Sequence, residues 1–432
     1  MEKIDSFTHV LPPAEAPSGQ CPQIDAHGAI RQGTSVLAGD LASVDTGASA
    51  RRPAAIPTLV LPRTLFASNA ISALADELAS LDIQRPLLVT DRGVVAAGLA
   101  AKAVAACGEA ASVVLFDNVT ENPLFADVDN GASIYAREEC DGVVALGGGS
   151  VLDTAKLIAL LATNPGSVAD YAGVPNADHV AGAPLIAIPT TAGTGSEASP
   201  SSGIHPDAVT ASVGMNSRHL VPRVAILDPN LTLSLPPRLT AATGIDALSH
   251  CIEGYLSTKS LPLGKAIALD GIARVAGYLR RAAFDGSDTV ARSEMMMAAY
   301  AGGASIGMGL GPAHAVALSC SDQGFHHGTL SGIGLVATLD VTARSAPEQI
   351  AEISYAFGLD ASASLSHAVA ALMRELGLPA TLGELGYRAA DLTTLARAAQ
   401  SSHFNLFAPV RPTASDYAAM LEASLKPSQN RL

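Results

Sequence analysis

Asp246 and His250 lie four residues apart in the largely apolar segment TGIDALSHCIEGY, residues 243–255. Residues at this spacing share one face of an α-helix, so a carboxylate and an imidazole would point in the same direction. Such a pair can bind one cation. An aspartate near a helix start with a histidine close by is also common without a metal, so the pair alone leaves both interpretations open.

Three further histidines follow in the segment GLGPAHAVALSCSDQGFHHGTLSG, residues 309–332: His314, His326 and His327. One carboxylate with three imidazoles is a ligand set that suits Fe(II), Zn(II) or another divalent cation. Adjacent side chains rarely both face one ion, so we expect His326 to lie outside the set. A bound cation polarises the oxygen of an alcohol or a carbonyl group, which is the chemistry that this pattern indicates.

A glycine turn offers a second kind of chemistry. The apolar run DGVVALGGG, residues 141–149, leads directly into a helical pattern that starts at Ser150 and has Asp153 in its first turn. Glycines allow close approach to the backbone, and a helix start presents free N–H groups to a pyrophosphate. The turn matches neither the P-loop nor GxGxxG, because Leu152 stands at the third glycine position, so it does not identify the cofactor alone.

Two more segments favour a nucleotide over an unrelated polar turn. The loop PTTAGTGSEAS, residues 189–199, follows a predicted strand and carries hydroxyl groups that can bind phosphate or ribose. Asp91 ends the predicted strand LLVTD, where a carboxylate can accept from both ribose hydroxyls and repel a 2′-phosphate. That position favours NAD over NADP, although Asp91 is equally suited to cap the following helix.

The elements that must position these residues alternate in the first half of the chain, from Thr58 to about Pro236. Alternation of strands and helices predicts an α/β domain with a parallel sheet, which binds ligands at the carboxyl ends of its strands. The predicted strands are 85–91, 111–117, 141–149, 183–191 and 222–229. The predicted helices include 66–82, 93–108, 124–140 and 150–163.

After Pro237 the pattern changes to long segments rich in alanine and leucine, with glycine and proline mainly between them. This pattern predicts an all-helical domain over residues 237–432. The stretch from Met295 to Ser321 has no charged residue, but its glycines and Pro312 indicate a buried helix and a tight loop, not a membrane span. The predicted helices are 239–258, 262–283, 288–308, 328–344, 347–357, 361–376 and 415–425.

Composition narrows the class of protein. With 432 residues, 48% of them hydrophobic and 15% charged, the chain has enough apolar material for two domains. The net charge of -14 argues against nucleic acid and anionic membranes as partners. The five cysteines lack CxxC spacing and are odd in number, which predicts a reducing cytoplasm and no disulfide framework. They are Cys21, Cys107, Cys140, Cys251 and Cys320.

The N-terminal residues 1–55 differ from the rest of the chain. They are rich in alanine, serine, glycine and proline and have no sustained period, so we expect a flexible extension. The start MEKIDSFTHVLPP has no basic segment followed by an apolar run, so no secretory signal is expected. The predicted domains are therefore this extension, an NAD-binding α/β domain over 56–236 and a helical metal-binding domain over 237–432.

Taken together, these motifs resemble the iron-containing (group III) alcohol dehydrogenase family from about residue 57 to the C-terminus. The resemblance rests on GGGSVLDTAK, PTTAGTGSEAS, LDP at 227–229, TGIDALSHCIEGYLS and the segment that ends in HHGTLSG. It implies a dinucleotide-binding α/β domain and a helical metal-binding domain with the active site between them. This architecture is like that of dehydroquinate synthase, and a homodimer or a higher homo-oligomer is expected.

By position in these motifs, the resemblance implies metal ligands and cofactor contacts. The implied metal ligands are Asp246, His250, His314 and His327. The implied contacts to NAD are Asp91, Asn122, Gly147, Gly148, Gly149, Ser150, Asp153, Thr190, Thr191, Thr194 and Ser196.

Three departures from the family pattern bear on mechanism. Many relatives carry a histidine four residues after the third ligand, where this chain has Leu318, so protons must leave through water, the ribose hydroxyl or His326. The segment between His314 and His327 is about one residue shorter than is usual. A lysine that is common before PxVAILDP aligns with about Ser212.

We therefore expect an NAD-dependent, metal-dependent alcohol dehydrogenase or aldehyde reductase acting on a small substrate. One alternative is a reductase that resembles maleylacetate reductase and works without a metal. A second is a lyase that resembles dehydroquinate synthase, whose phosphate-bearing substrate needs a basic cluster in the helical domain. The basic residues near the motif are Lys259, Lys265, Arg274, Arg280 and Arg281.

Overall fold

The computed structural model describes residues 58–174, 177–259, 261–360 and 362–426. The predicted N-terminal extension, with Cys21, lies outside the described residues. Those described residues cluster as one compact unit, so the predicted division at residue 236 stays a prediction. We call the parts before and after residue 236 the α/β region and the helical region.

The α/β region is built around a six-stranded sheet. All of its neighbouring strands run parallel, in the order β1-β8-β5-β4-β2-β3, and β6 pairs with β7 antiparallel beside it. The elements are β1 (Arg63–Phe66), α1 (Leu74–Ser80), β2 (Pro86–Val89), α2 (Arg92–Ala96), α3 (Leu99–Ala106), β3 (Val114–Phe116), α4 (Phe125–Arg137), β4 (Gly142–Gly147), α5 (Gly149–Leu161), β5 (Leu185–Pro189), β6 (Ser201–Ile204), β7 (Val213–Asn216) and β8 (Val224–Leu227).

The parallel sheet confirms the fold class that the sequence predicted. Strands β2, β4, β5 and β8 are buried along their whole length, which explains why they appear in the sequence as continuous apolar runs. The prediction missed β1, β6 and β7. β1 is mostly exposed, β6 and β7 mix exposed with buried or half-buried positions, and both β6 and β7 contain glycine, so the apolar signal of these strands is weak.

The helical region confirms the second half of the predicted fold. No strand follows β8 among the described residues. The predicted buried stretch from Met295 to Ser321 forms the end of one helix, a tight turn and a short helix that the sequence did not predict. The helices are α6 (Pro237–Leu256), α7 (Pro262–Phe284), α8 (Thr289–Ile306), α9 (Pro312–Ser319), α10 (His327–Ser345), α11 (Pro347–Ala356), α12 (Leu365–Glu375), α13 (Leu382–Leu385), α14 (Leu392–Ser401) and α15 (Ala414–Leu425).

Helix α6 is the centre of the helical region. Every residue from Thr240 to Leu256 is buried, and the helix packs against α7, α8 and α10. Because it is surrounded, it lacks a solvent-facing polar side, and its buried polar residues Asp246, His250 and Glu253 share one face. Searched over the described residues, the helices include none that is long and apolar enough to cross a membrane.

A close backbone contact joins the two regions. Gly195, at φ 61°, lies on the loop after β5, and Gly303 lies on the facing side of α8. A Cβ atom placed on Gly303 would lie 1.9 Å from the carbonyl oxygen of Gly195. Only a residue without a side chain fits there, so this pair of glycines lets the loop rest directly on the helix.

Gly303→Ala therefore tests the contact between the regions. We expect the added methyl group to lower the free energy of unfolding by about 3 kcal/mol, because backbone must move to admit it. Gly277→Ala is the matched control: it lies on the exposed side of α7, where a Cβ would meet nothing within 4 Å. That change should stabilise the protein by about 0.5–1 kcal/mol. Urea denaturation measures both, and equal stability of the two variants would contradict the prediction.

Candidate active site

A cleft of about 1620 Å³ lies where the carboxyl ends of the parallel strands meet the helical region. Its walls carry the candidate metal-site residues from one side and the candidate cofactor contacts from the other. The exception is Gly147, which does not line the cleft. A Cβ on Gly147 would lie 2.6 Å from the Cβ of Val151, so this glycine serves the packing of β4 on α5.

Three ring nitrogens converge on one oxygen of Asp246. The distances from Asp246 Oδ1 to the Nε2 atoms of His250, His314 and His327 are 3.9, 4.0 and 3.9 Å. The ligand atoms of Asp246, His314 and His327 also lie within 4.8 Å of one another. His250 stands outside that closer set, and its ring stacks on the ring of His314 with centroids 4.7 Å apart.

The donor atoms at this point of convergence fit a divalent cation. Asp246 Oδ1 and His314 Nε2 are buried, and neither has a hydrogen-bond partner among the described residues. Separations near 4 Å are too long for hydrogen bonds between the rings and the carboxylate. A buried polar atom left without a partner costs about 1–3 kcal/mol, so the arrangement is unfavourable unless a cation satisfies these atoms.

The protonation states suit the same purpose. Burial raises the pKa of the Asp246 carboxyl, but the surrounding imidazoles, His250 first, hold it below its ordinary value overall. Burial lowers the pKa of His250 to about 3. An ionised carboxylate and a neutral imidazole are the forms that bind a metal ion, so both residues are ready to do so at neutral pH.

Glu253 is the functional residue that the sequence analysis missed. Its Oε2 accepts a hydrogen bond from Nδ1 of His314 at 2.6 Å, and its Oε1 accepts from the backbone N of Ala313 at 2.7 Å. The first contact turns Nε2 of His314 towards Asp246, and the second caps the start of α9. The sequence contained a signal, because Glu253 lies seven residues after Asp246 and three after His250, on the same helix face.

The two adjacent histidines at the start of α10, His326 and His327, have different roles. His327 is the first residue of the helix and faces Asp246, whereas His326 caps the helix and accepts from Gly328 N through Nδ1 at 3.2 Å. His326 still lines the cleft, as does Leu318. The structure therefore places His326 beside the site and outside the group of converging ligand atoms.

The cofactor wall is formed by two loops that pack on each other. Helix α5 begins at Gly149, one residue earlier than predicted, and no side chain caps its N-terminus. Thr190 N donates to the carbonyl oxygen of Gly147 at 3.0 Å. A Cβ on Gly149 would meet the Thr194 methyl group at 2.5 Å. The helix start therefore faces the cleft with free N–H groups. Next to it lie the hydroxyls of the loop at residues 189–199, which we call the threonine loop.

Asp153 supports the threonine loop of this wall through hydrogen bonds. Its Oδ1 accepts from the Ser196 hydroxyl at 2.5 Å, and its Oδ2 accepts from Gly203 N at 2.8 Å. The ammonium group of Lys156 lies 3.8 Å from Oδ1. Burial raises the pKa of the Asp153 carboxyl. These contacts position the threonine loop, and Asp153 itself also lines the cleft.

At the far end of the cofactor wall, Asp91 fills one of the two roles that the sequence left open, that of helix cap. Its Oδ1 accepts from Val94 N at 2.8 Å and caps α2, and the residue also lines the cleft. Asn122 lines the same end. The Ser150 hydroxyl donates to the carbonyl oxygen of Glu121, which ties the start of α5 to the segment that carries Asn122.

Comparison with known proteins places this site among related enzymes. The family model for iron-containing alcohol dehydrogenase matches residues 62–229, and the model for the C-terminal part of that family matches residues 240–425. The 4-hydroxybutyrate dehydrogenase of Cupriavidus necator is 40% identical over 371 residues, which are 83% of this chain and 96% of that protein.

Solved structures agree with the sequence relatives. The crystal structure of a 1,3-propanediol oxidoreductase has a TM-score of 0.81 and 30% identity, covering 85% of this chain and 99% of that one. The sulfoacetaldehyde reductase of Bifidobacterium kashiwanohense, in complex with NAD+, has a TM-score of 0.77 and 28% identity. The structural match covers 86% of this chain and 99% of the reductase chain.

Glu253→Gln tests whether the buried carboxylate orients His314 for a cation. The variant keeps the shape of the side chain but removes its charge, so we expect metal affinity to fall by about ten- to hundredfold. Competition with a chromophoric chelator measures the Kd for Zn(II). Glu375→Gln is the control, because Glu375 forms an exposed pair with Arg280 far from the cleft. Equal affinity in both variants would contradict the assigned role of Glu253.

Proposed function

The chain belongs to the iron-containing alcohol dehydrogenase family and is an alcohol dehydrogenase; from this premise we propose the following cofactors, residues and substrates. It transfers a hydride between NAD(H) and a small alcohol or aldehyde. A divalent cation, Fe(II) or Zn(II), is held by Asp246, His250, His314 and His327. The observation that carries the proposal is the convergence of three imidazole nitrogens on one buried carboxylate oxygen inside the cleft that also contains the helix α5 start.

The metal-site residues have separate tasks. A divalent cation bound here lowers the pKa of an alcohol and polarises an aldehyde carbonyl. The carboxylate of Asp246 offsets one of the two positive charges of the cation, and the neutral imidazoles offset none. The cation therefore still attracts the electron-rich oxygen of the substrate. Glu253 fixes the ring of His314, and through the α9 cap it fixes the element that carries that ring.

The opposite wall binds the cofactor. NAD supplies a nicotinamide ring that accepts or returns the hydride. The start of α5 at Gly149 and Ser150 binds the pyrophosphate, and the hydroxyls of Thr190, Thr191 and Thr194 extend that surface. Asp91 accepts from the adenosine ribose with the oxygen that the α2 cap leaves free. Distance and orientation between nicotinamide and substrate follow from the contact of the two walls.

The proton leaves by a route that does not use position 318, because a leucine side chain cannot carry it. His326 lines the same part of the cleft, and its Nδ1 accepts from Gly328 N. That contact leaves the hydrogen of the neutral ring on Nε2. We assign His326 the exchange of the proton with solvent.

Two alternative reactions receive less support. A lyase that binds a phosphate-bearing substrate needs several cations in the helical wall, but most of the candidates are engaged elsewhere: Arg274 with Asp270 and Glu294, Arg280 with Glu375, Arg281 with Asp288, and Lys265 over the Tyr255 ring. A metal-free reductase that resembles maleylacetate reductase does not account for the unsatisfied atoms at Asp246 and His314.

The cellular compartment, the oligomeric state and the roles of the two regions belong to the same proposal. The cysteines within the described residues, Cys107, Cys140, Cys251 and Cys320, are free and buried, which is compatible with a reducing cytoplasm. We propose a homodimer there, and the α/β region as the NAD-binding domain and the helical region as the metal-binding domain.

Metal removal is the first test of the proposed function. Elemental analysis of protein purified without oxygen should find about one divalent ion per chain. Chelation should abolish NADH oxidation with small aldehydes, and Fe(II) or Zn(II) should restore it. Asp246→Asn should bind neither metal. Absence of bound metal and of chelator sensitivity, together with reduction of an unsaturated keto acid, would instead favour the metal-free alternative.

Asp91→Ser tests the choice of cofactor. Serine retains a helix cap but removes the negative charge that disfavours a 2′-phosphate. The ratio of kcat/KM for NADH to that for NADPH should therefore fall by at least about tenfold. Asp207→Ser is the control, since this exposed carboxylate caps a loop turn through Val209 and Thr210. The same ratio in all three proteins would refute the role of Asp91.

A further inference from the structure

Lys259 is a charged residue of the cleft wall that the proposed chemistry does not use. It follows the end of α6 and lines the cleft together with Phe404 and Phe407. Of the described residues that the helical region contributes to this cleft, Asp246 is the one carboxylate and Lys259 the one lysine or arginine. The whole chain carries a net charge of -14, so a lone ammonium group on this wall is a local point of attraction for an anion.

Neighbouring segments hold the ammonium group in place. Lys259 Nζ donates to the carbonyl oxygen of Gly307 at 3.2 Å and stands 5.3 Å from the centre of the Phe407 ring. The main chain before it is also tied down, because Thr258 N donates to the carbonyl oxygen of Phe407 at 2.7 Å. A cation that is already positioned loses little conformational freedom when a ligand arrives, which favours binding.

The ammonium group retains capacity for a ligand. A lysine has three N–H donors, and the structure uses one of them, on Gly307. Across the described part of the chain, no carboxylate forms an ion pair with Lys259. Lysines without a carboxylate partner are common on exposed surfaces. This one is half-buried and lines the cleft that contains the site.

Lys259 and the histidine cluster line the same cleft and are connected through α6. Leu256, the last residue of α6, lies about 9 Å along the helix axis beyond His250 at 1.5 Å per residue. The turn His403–Phe407 runs along the wall between them: the Phe404 ring lies 5.7 Å from the His314 ring, and the Phe407 ring lies under Lys259. The turn therefore gives the wall between the histidine cluster and the ammonium group an apolar surface, which suits the methylene groups of a substrate.

We infer that the enzyme prefers alcohols and aldehydes that carry a carboxylate at the far end of a short carbon chain, and that Lys259 binds this carboxylate. The inference rests on the proposed hydride transfer at the histidine cluster. The reacting oxygen lies at the cluster, the methylene groups lie along Phe404, and the carboxylate accepts from Lys259 Nζ. Lys259 determines specificity and takes no part in the hydride step.

Steady-state kinetics with 4-hydroxybutyrate and 1-butanol test this inference, because the two alcohols share a four-carbon chain and differ in the terminal carboxylate. In the unaltered enzyme we expect the higher kcat/KM for the acid. Lys259→Met keeps the apolar stem and removes the charge. It should raise KM for the acid by about ten- to hundredfold with little change in kcat, and leave 1-butanol oxidation unchanged.

Further measurements separate a contact with substrate from a merely structural role. Lys259→Arg should restore most of the preference for the acid. Added salt should raise KM for 4-hydroxybutyrate in the unaltered enzyme and have little effect in Lys259→Met. Lys265→Met is the matched control: its ammonium group also lies over a ring, 5.0 Å from the centre of Tyr255, but does not line the cleft. That variant should match the unaltered enzyme with both alcohols.

Two results would overturn the inference while the proposed function stands. One is an equal loss of kcat/KM for both alcohols in Lys259→Met, which would make Lys259 a structural residue. The other is an equal KM for the two alcohols in the unaltered enzyme. Failure to oxidise any alcohol or reduce any aldehyde with NAD(H) would overturn the proposed function itself, and the inference with it.

Discussion

A buried carboxylate oxygen that the protein itself does not satisfy is the constraint on which this structure depends. Asp246 Oδ1 lies in the middle of α6, with three imidazole nitrogens near 4 Å and, within the described part of the chain, no hydrogen-bond donor. The cost of burying such a group is acceptable only if a cation binds there. Helices α9 and α10 pack against α6, and each of them brings one histidine to the same oxygen.

The same helix also supplies the support for its ligands. Glu253 lies one turn beyond His250 and reaches across to α9, where it both caps the helix and orients His314. A carboxylate in this position lets a helix of two turns hold a ligand firmly, although α9 is too short to be stable without tertiary contacts. The metal site and the fold of the helical region are therefore parts of one arrangement.

The cofactor wall depends on close backbone contacts more than on charge. The threonine loop rests on α8 at Gly195 and Gly303, and it is held from the other side by Asp153 through Ser196. Side chains at either glycine would separate the walls and widen the cleft. Hydride transfer requires a fixed distance between nicotinamide and substrate, so these contacts bear on catalysis although none of them touches the reacting atoms.

Much of this arrangement was present in the sequence. Buried strands and long apolar helices have strong periodic signals, so the parallel sheet and the helical region could be predicted from local pattern alone. The family resemblance placed Asp246, His250, His314 and His327 in one motif set. Asp91 was given two possible roles: the structure confirms the helix cap and places the residue on the cleft wall, and its contact with ribose stays a prediction.

Only the tertiary structure decided the rest, because the remaining contacts join residues that are distant in sequence. The strand β1 pairs with β8, and no local pattern reports a partner so far along the chain. Glu253 and Lys259 have ordinary sequence surroundings, and their roles arise from a helix and a turn that approach from about sixty and one hundred and fifty residues away. The contact of Asp153 with Ser196 is likewise tertiary, and the predicted contact of Asp153 with the cofactor stays a prediction. The sequence by itself determined which chemical groups are available, and the packing of distant segments decided which of them face the cleft.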